Sequence, residues 1–167
     1  IVEPDGIECR CGRRGCLETR VSVDALSARI QQEYSKDNTP VLYELTGGDS
    51  QKITRELITE WAESEEVDNY LTRMDPVVAD IMAGAVERIA RVAVNVMTIL
   101  APDHTIVFGP MLENNQIYNL FMQFCKKYDE HYTDEYIHRS ELSKKISYIG
   151  GTALIARTCF FENGGTT

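Results

Sequence analysis

Three thiols fall within eight residues in the stretch Cys9-Arg10-Cys11-Gly12-Arg13-Arg14-Gly15-Cys16-Leu17-Glu18. Thiolate sulfur binds soft divalent metals, and a structural zinc ion takes four tetrahedral N or S donors. Gly12 and Gly15 stand where the chain must fold back to bring the sulfurs together. Arg10, Arg13 and Arg14 would lower thiol pKa values and partly offset thiolate charge. The spacing predicts a zinc loop at Cys9, Cys11 and Cys16. A Cys9–Cys16 or Cys11–Cys16 disulfide, or free thiols, are the other readings of the same residues. No fourth ligand is evident nearby. His104, His131 and His138 lie far along the chain, and each reads as a surface residue.

The remaining two of the five cysteines, Cys125 and Cys159, sit alone in apolar, helical-looking stretches and read as small buried hydrophobes. An odd, clustered set fits a reducing cytoplasm better than a secreted disulfide framework. The 167 residues allow one domain or a piece of a larger one. With 43% hydrophobic and 26% charged residues, the chain is neither disordered nor fibrous. No apolar run approaches the ~20 residues that span a bilayer, so no membrane partner is expected. Seventeen Lys and Arg against 26 Asp and Glu leave a net charge of −9, which excludes this segment as an obvious nucleic-acid binder. The chain opens on Ile1-Val2-Glu3-Pro4-Asp5-Gly6, without an initiator Met or a signal-peptide pattern. That implies a chain cut from a longer one, or one whose beginning lies elsewhere.

The elements that must position the loop are helices with two short strands. Residues 1–20 read as a turn-rich loop, and 21–73 as a helical segment. Ser22 predicts the cap of a helix over 22–35 carrying Leu26, Ile30 and Tyr34 on one side. Asn38-Thr39-Pro40 ends it, and 41–48 read as irregular, with Gly47-Gly48 as a break. Asp49 or Ser50 predicts a helix start, running to about Glu63 with Ile53, Leu57, Ile58 and Trp61 inward, and a second segment follows at 64–72. Residues 74–167 read as an α/β segment. Asp75-Pro76 predicts a helix start, with Asp accepting from orphan N–H groups and Pro pre-set at the first position. That helix reaches Leu100, and its broad apolar stripe implies burial on more than one side. His104 to Gly109 reads as a strand, 114–128 as a helix with Ile117, Leu120, Phe121 and Phe124 inward, and 129–140 as a polar, tyrosine-rich connection. Lys145 to Ile149 reads as a second strand, Gly150-Gly151 as its break, and Thr152 to Phe161 as a closing helix. Helices against a partly parallel sheet follow from that order. Two strands make no stable sheet alone, so further strands must come from outside the segments legible here.

With these residues in place, Cys9, Cys11, Gly12, Gly15, Cys16, Leu17 and Glu18 resemble the C-x-C-G-x-x-G-C-L-E signature of the ROK family of repressors, uncharacterised reading frames and sugar kinases. The Asp75–Leu100 helix, the Ala101-Pro102 break and Thr105-Ile106-Val107-Phe108-Gly109 resemble the family's long helix, strand and turn. Gly150-Gly151-Thr152-Ala153-Leu154-Ile155-Ala156 is similar to its closing helix. The resemblance implies an α/β fold, the C-terminal portion of a ribonuclease-H-like, actin-type two-lobed structure, helix-rich and with a structural zinc in the cysteine loop. It implies a fourth zinc ligand, a His, immediately upstream of Ile1. It also implies that the N-terminal lobe, and any helix-turn-helix domain through which DNA would be contacted, lie outside this chain.

Glu18 corresponds to the family glutamate that contacts a sugar hydroxyl. The family kinases carry a Gly-Gly pair after the strand, where the backbone approaches the nucleotide. Here the pair is Gly109-Pro110, and proline removes an N–H and stiffens the turn. Gly109, Gly150 and Gly151 are the nucleotide-like turn positions, and Gly109-Pro110-Met111-Leu112 resembles the repressor version. The resemblance therefore implies the sugar-sensing and oligomerisation part of a regulator, most similar to the NagC/XylR type. Its effector would be a sugar or sugar phosphate, its state a dimer or tetramer, and its location cytoplasmic. The alternative is the C-terminal lobe of an ATP-dependent sugar kinase, the form in which the protein would be an enzyme.

Overall fold

Pro76 and the apolar spacing behind it produce the longest helix. In the computed structural model, which describes residues 1–58 and 75–140, that helix is α4 (Pro76–Leu100). Before it come α1 (Glu18–Val21), α2 (Val23–Glu33), α3 (Pro40–Thr46) and a 3₁₀ turn at Ser50–Lys52. After it come β1 (Thr105–Val107), α5 (Pro110–Glu113), α6 (Asn115–Tyr128) and β2 (Ile137–Arg139). The described residues form a helix-rich α/β arrangement with a two-stranded parallel sheet, Thr105 opposite Ile137 and Val107 opposite Arg139. Parallel strands need a crossover connection, and α5 and α6 provide it.

The core gathers on α4. Val78, Ile81, Met82, Ala85, Val86, Ala90, Val94 and Met97 are all buried along it. They meet Leu26 and Ile30 of α2, Leu42 of α3, and Ile117, Phe121, Met122 and Cys125 of α6. Fully burying a side chain such as Ile117 or Phe121 contributes about 1.5–3 kcal/mol. Asn114 caps α6 by accepting from the Gln116 and Ile117 N–H groups. Burial alone pushes the Cys125 thiol up to about 12, as befits a packing residue. Between α4 and α6, the Glu87 carboxylate accepts from Lys127 at 2.9 Å and from the Tyr128 hydroxyl at 2.7 Å. These bonds hold its carboxyl below the usual range.

Several expectations are corrected. Residues 41–48 are helical up to Thr46, and Pro40 begins α3 rather than closing α2, which runs Val23–Glu33. Pro at the first helical position has no N–H to leave orphaned. Asp75 does not cap its own helix by a side-chain bond. Its carboxylate instead accepts from the Val41 and Leu42 N–H groups of α3, both at 2.9 Å. Asp49 and Ser50 start only a 3₁₀ turn, and helix resumes at 55–58. The reason is the Ile53 carbonyl, which is taken by the Ser27 hydroxyl at 2.6 Å and by Gln31 Nε2 at 2.9 Å. The polar connection 129–140 contains β2, hidden because only Ile137 of its three residues is buried. Trp61, the segment 64–72, the strand Lys145 to Ile149, Cys159 and the helix Thr152 to Phe161 lie outside the described residues.

Asp75 is 3% exposed, so its two bonds are charge-assisted and dry. Asp75→Ala is expected to cost roughly 1–2 kcal/mol. Chemical denaturation should show a lower midpoint at unchanged slope, with partial recovery in Asp75→Asn. A midpoint equal to the parent's would show that α3 needs no such cap.

Candidate metal centre

The cysteine loop closes on itself through backbone bonds that glycine makes possible. The Cys9 N–H donates to Arg13 O at 2.7 Å, and Gly12 N–H to Cys9 O at 2.8 Å. Glu8 and Arg14 form an antiparallel bridge. Gly15 lies at φ +67°, and a Cβ there would fall 1.4 Å from the Glu3 carbonyl oxygen. Its N–H donates to Ile7 O at 2.9 Å, and its carbonyl accepts from the Val2 and Glu3 N–H groups at 2.7 and 3.2 Å. The residues before the loop are thus laid against its far end. A left-handed φ and a backbone contact of this kind leave room for hydrogen only.

Glu3 ties this folded loop to the helices. Its Oε2 accepts from Arg20 Nε at 2.9 Å and Arg20 Nη2 at 2.6 Å. Its Oε1 lies 4.0 Å from Arg88 of α4. Arg88 in turn donates to the Gly84 carbonyl at 2.9 Å. The sequence offered no sign of this clamp, because its partners are 17 and 85 positions from Glu3. Two clefts flank the clamp. One of about 640 Å³ is lined by Ile7, Arg20, Arg29 and Arg88 among others. The other, of about 570 Å³, is lined by Ile1, Leu17 and Val96 among others.

Cys9, Cys11 and Cys16 come together with their sulfurs all within 4.8 Å of one another. Cys11 Sγ and Cys16 Sγ are 3.5 Å apart. Tetrahedral coordination at a metal–sulfur distance of about 2.3 Å has an S···S edge of about 3.8 Å. Three thiols in this spread therefore fit three corners of such a site. Cys9 is buried, Cys11 exposed and Cys16 between. Hydrogen bonds from Arg13 lower the Cys11 thiol to about 6. Its hydrogen bond with Cys11 raises Cys16 to about 11. These opposite shifts make Cys11 the more readily ionised of the two thiols.

Glu18, first residue of α1, stands beside the cluster. Arg10 pairs with its carboxylate, and Oε2 lies 3.9 Å from Cys9 Sγ. Glu18 lines neither flanking cleft and is about half exposed. Gly109 is in place after β1, at φ +139°, a region open to glycine. Gly150 and Gly151 lie outside the described residues. The histidines are all distant from the thiols in sequence, but two of them meet: His104 Nδ1 and His138 Nε2 are 3.3 Å apart across the start of the sheet. That pair was invisible until β2 was placed. His131 bonds Asp129 at 2.8 Å.

A family model described as the ROK family matches residues 1–158. A glucokinase from Thermotoga maritima is 27% identical over 117 residues, covering 70% of this chain and 34% of that protein. The uncharacterized protein YphH of Escherichia coli K12 is 42% identical over 66 residues, covering 39% of this chain and 15% of that protein. The chain thus spans about a third of the length of the first relative and less of the second.

Two outcomes follow from the loop geometry. Gly15→Ala should abolish loop closure, seen as loss of divalent-metal uptake in a cobalt absorbance titration while the helical far-ultraviolet signal persists. Retained uptake would contradict the Gly15–Glu3 contact. In the metal-free chain at pH 7, iodoacetamide should label Cys11 well before Cys16, and Arg13→Ala should slow the Cys11 reaction. Peptide mass mapping across pH checks the order.

Proposed function

The chain belongs to the ROK family, and from that premise we propose that it is the effector-sensing and oligomerisation part of a transcriptional regulator of the NagC/XylR type. Such a protein represses carbohydrate genes in the cytoplasm as a dimer or tetramer. It contacts DNA through an N-terminal domain, and this chain supplies the C-terminal portion of a ribonuclease-H-like, two-lobed fold. Among the described residues no helix is long and apolar enough to cross a membrane.

The turn between β1 and α5 carries the choice of regulator over kinase. Gly109 precedes Pro110, the first residue of α5. A phosphate-binding turn works by aiming backbone N–H groups at the anion. Proline brings none at the position where the family kinases carry a second glycine. The kinase reading has its own support in the similarity to a glucokinase, and it predicts sugar-dependent ATP consumption.

Zinc suits the three thiols, and Cys9, Cys11 and Cys16 would hold it with a fourth donor. Its role here would be structural, fixing the loop that carries Glu18. Sugar binding falls to Glu18, because a carboxylate accepts well from hydroxyls. As a metal ligand, Cys9 would hold its sulfur toward the ion, and Glu18 Oε2, 3.9 Å from that sulfur, would be available to a sugar hydroxyl. Arg10 keeps the other carboxylate oxygen oriented. A sugar then shifts the DNA-binding equilibrium in so far as it binds the two conformations unequally.

Titration of the intact protein with a panel of sugars and sugar phosphates tests this reading. Glu18→Ala is expected to weaken binding of the responsive ligand at least tenfold, with metal content and helical signal unchanged. Unaltered affinity would remove Glu18 from the site. Sugar-dependent ATP turnover by the intact protein would transfer the assignment to the kinases.

A further inference from the structure

We propose that Cys11 and Cys16 form a peroxide-reactive dithiol, so that the loop exchanges its metal for a Cys11–Cys16 disulfide. The metal-bound state rests on the reading given above, whereas the oxidised state rests on the thiol geometry alone. Three thiols share the loop, but they are not equivalent. Cys9 is 5% exposed, its N–H is fixed to Arg13 O, and its sulfur faces Glu18 at 3.9 Å. Cys11 is exposed and Cys16 partly so, and their sulfurs already stand 3.5 Å apart. The turn between them is open: nothing lies within 4 Å of the Cβ position at Gly12. A small oxidant arriving from solvent meets the exposed Cys11 first, and the partly exposed Cys16 sulfur stands 3.5 Å from it.

The chemistry balances with hydrogen peroxide as the oxidant. The Cys11 thiolate attacks one peroxide oxygen, the O–O bond breaks, and with one proton the products are a Cys11 sulfenic acid and water. The Cys16 sulfur then attacks the Cys11 sulfur, the S–O bond breaks, and the hydroxyl leaves with the Cys16 proton as a second water. Two thiols lose two hydrogens and two electrons, and peroxide gains them. A dithiol reductant reverses the step. Cys9 is left reduced, and one thiolate does not retain a metal that needed three from this loop.

The consequence reaches the effector residue. Cys16 precedes Leu17 and Glu18, and its carbonyl accepts from the Thr19 hydroxyl at 2.8 Å in the first turn of α1. Drawing Cys16 onto Cys11 therefore pulls on the segment that sets Glu18. The loop would couple oxidant exposure to ligand response through a few residues of backbone.

The experiment treats the intact protein that carries these 167 residues with about one equivalent of hydrogen peroxide, in metal-free and in zinc-loaded form. Intact mass, disulfide mapping and a zinc-sensitive dye are read together. The expected result is a loss of two hydrogens, a Cys11–Cys16 linkage, an alkylatable Cys9, and zinc released in step with the disulfide in the loaded sample. Dithiothreitol should restore the starting mass. Cys9→Ser should form the same linkage, and Cys11→Ser should not. A disulfide that includes Cys9, oxidation of Cys11 to the sulfinic acid without a linkage, or zinc retained by the oxidised chain would each overturn the proposal. The metal-free arm separates the two readings: failure to take up zinc with normal disulfide formation overturns only the metal assignment.

Discussion

Val78, Met82, Ala85, Val86, Ala90, Val94 and Met97 leave α4 almost no free surface on its inner sides. That burial constrains everything around it. An apolar stripe this broad must be covered by more than one neighbour, and α2 and α6 cover it from residues far apart in the chain. The cysteine loop is then placed by what α4 presents beyond the stripe. Arg88, one helix position from Glu87, reaches Glu3, while Glu87 holds Lys127 and Tyr128 of α6. One turn of one helix thus fixes both the loop and the helix that connects the two strands.

Two carboxylates act at long range in this structure, one in place of a local cap that the sequence suggested and one where the sequence suggested nothing. Asp75 stands where a residue should cap α4, yet it serves α3. Glu3 stands in an irregular opening segment, yet it carries Arg20 and reaches Arg88. Desolvated carboxylates bond most strongly to donors that cannot turn back to water. For Asp75 those donors are the orphan N–H groups at the start of α3. The result is a cysteine loop that is rigid at its base and open at its tip. Metal-site precision needs a rigid base, and thiol reactivity needs an open tip.

Family membership is shown, and the proposed functional class turns on one short segment. The match to the ROK family and the similarity to a glucokinase are compatible with both the regulator and the kinase reading. The proposed choice between them rests on backbone donor supply after β1, where Gly109 leads into proline. A fold does not dictate function, and a site does.

The sequence by itself determined the loop and the long helix. Cys9, Cys11 and Cys16 with their glycines, and the Pro76 start with its apolar stripe, are local patterns of short period, and local patterns survive without tertiary information. The same is true of Ser22 as a cap and of Ile117 and Phe121 as core. Tertiary structure decided what depends on partners distant in the chain. It made Pro40 a helix start by bringing Asp75 to α3, and it stopped a helix at Ile53 by engaging that carbonyl from α2. It turned Ile137-His138-Arg139 into a strand, because β1 offers edge hydrogen bonds that a polar tripeptide can accept with only one side chain buried. Above all it ranked the three thiols. Spacing treats them alike, whereas packing buries Cys9 and leaves Cys11 and Cys16 within 3.5 Å at the surface, because burial is a property of the neighbours and not of the motif.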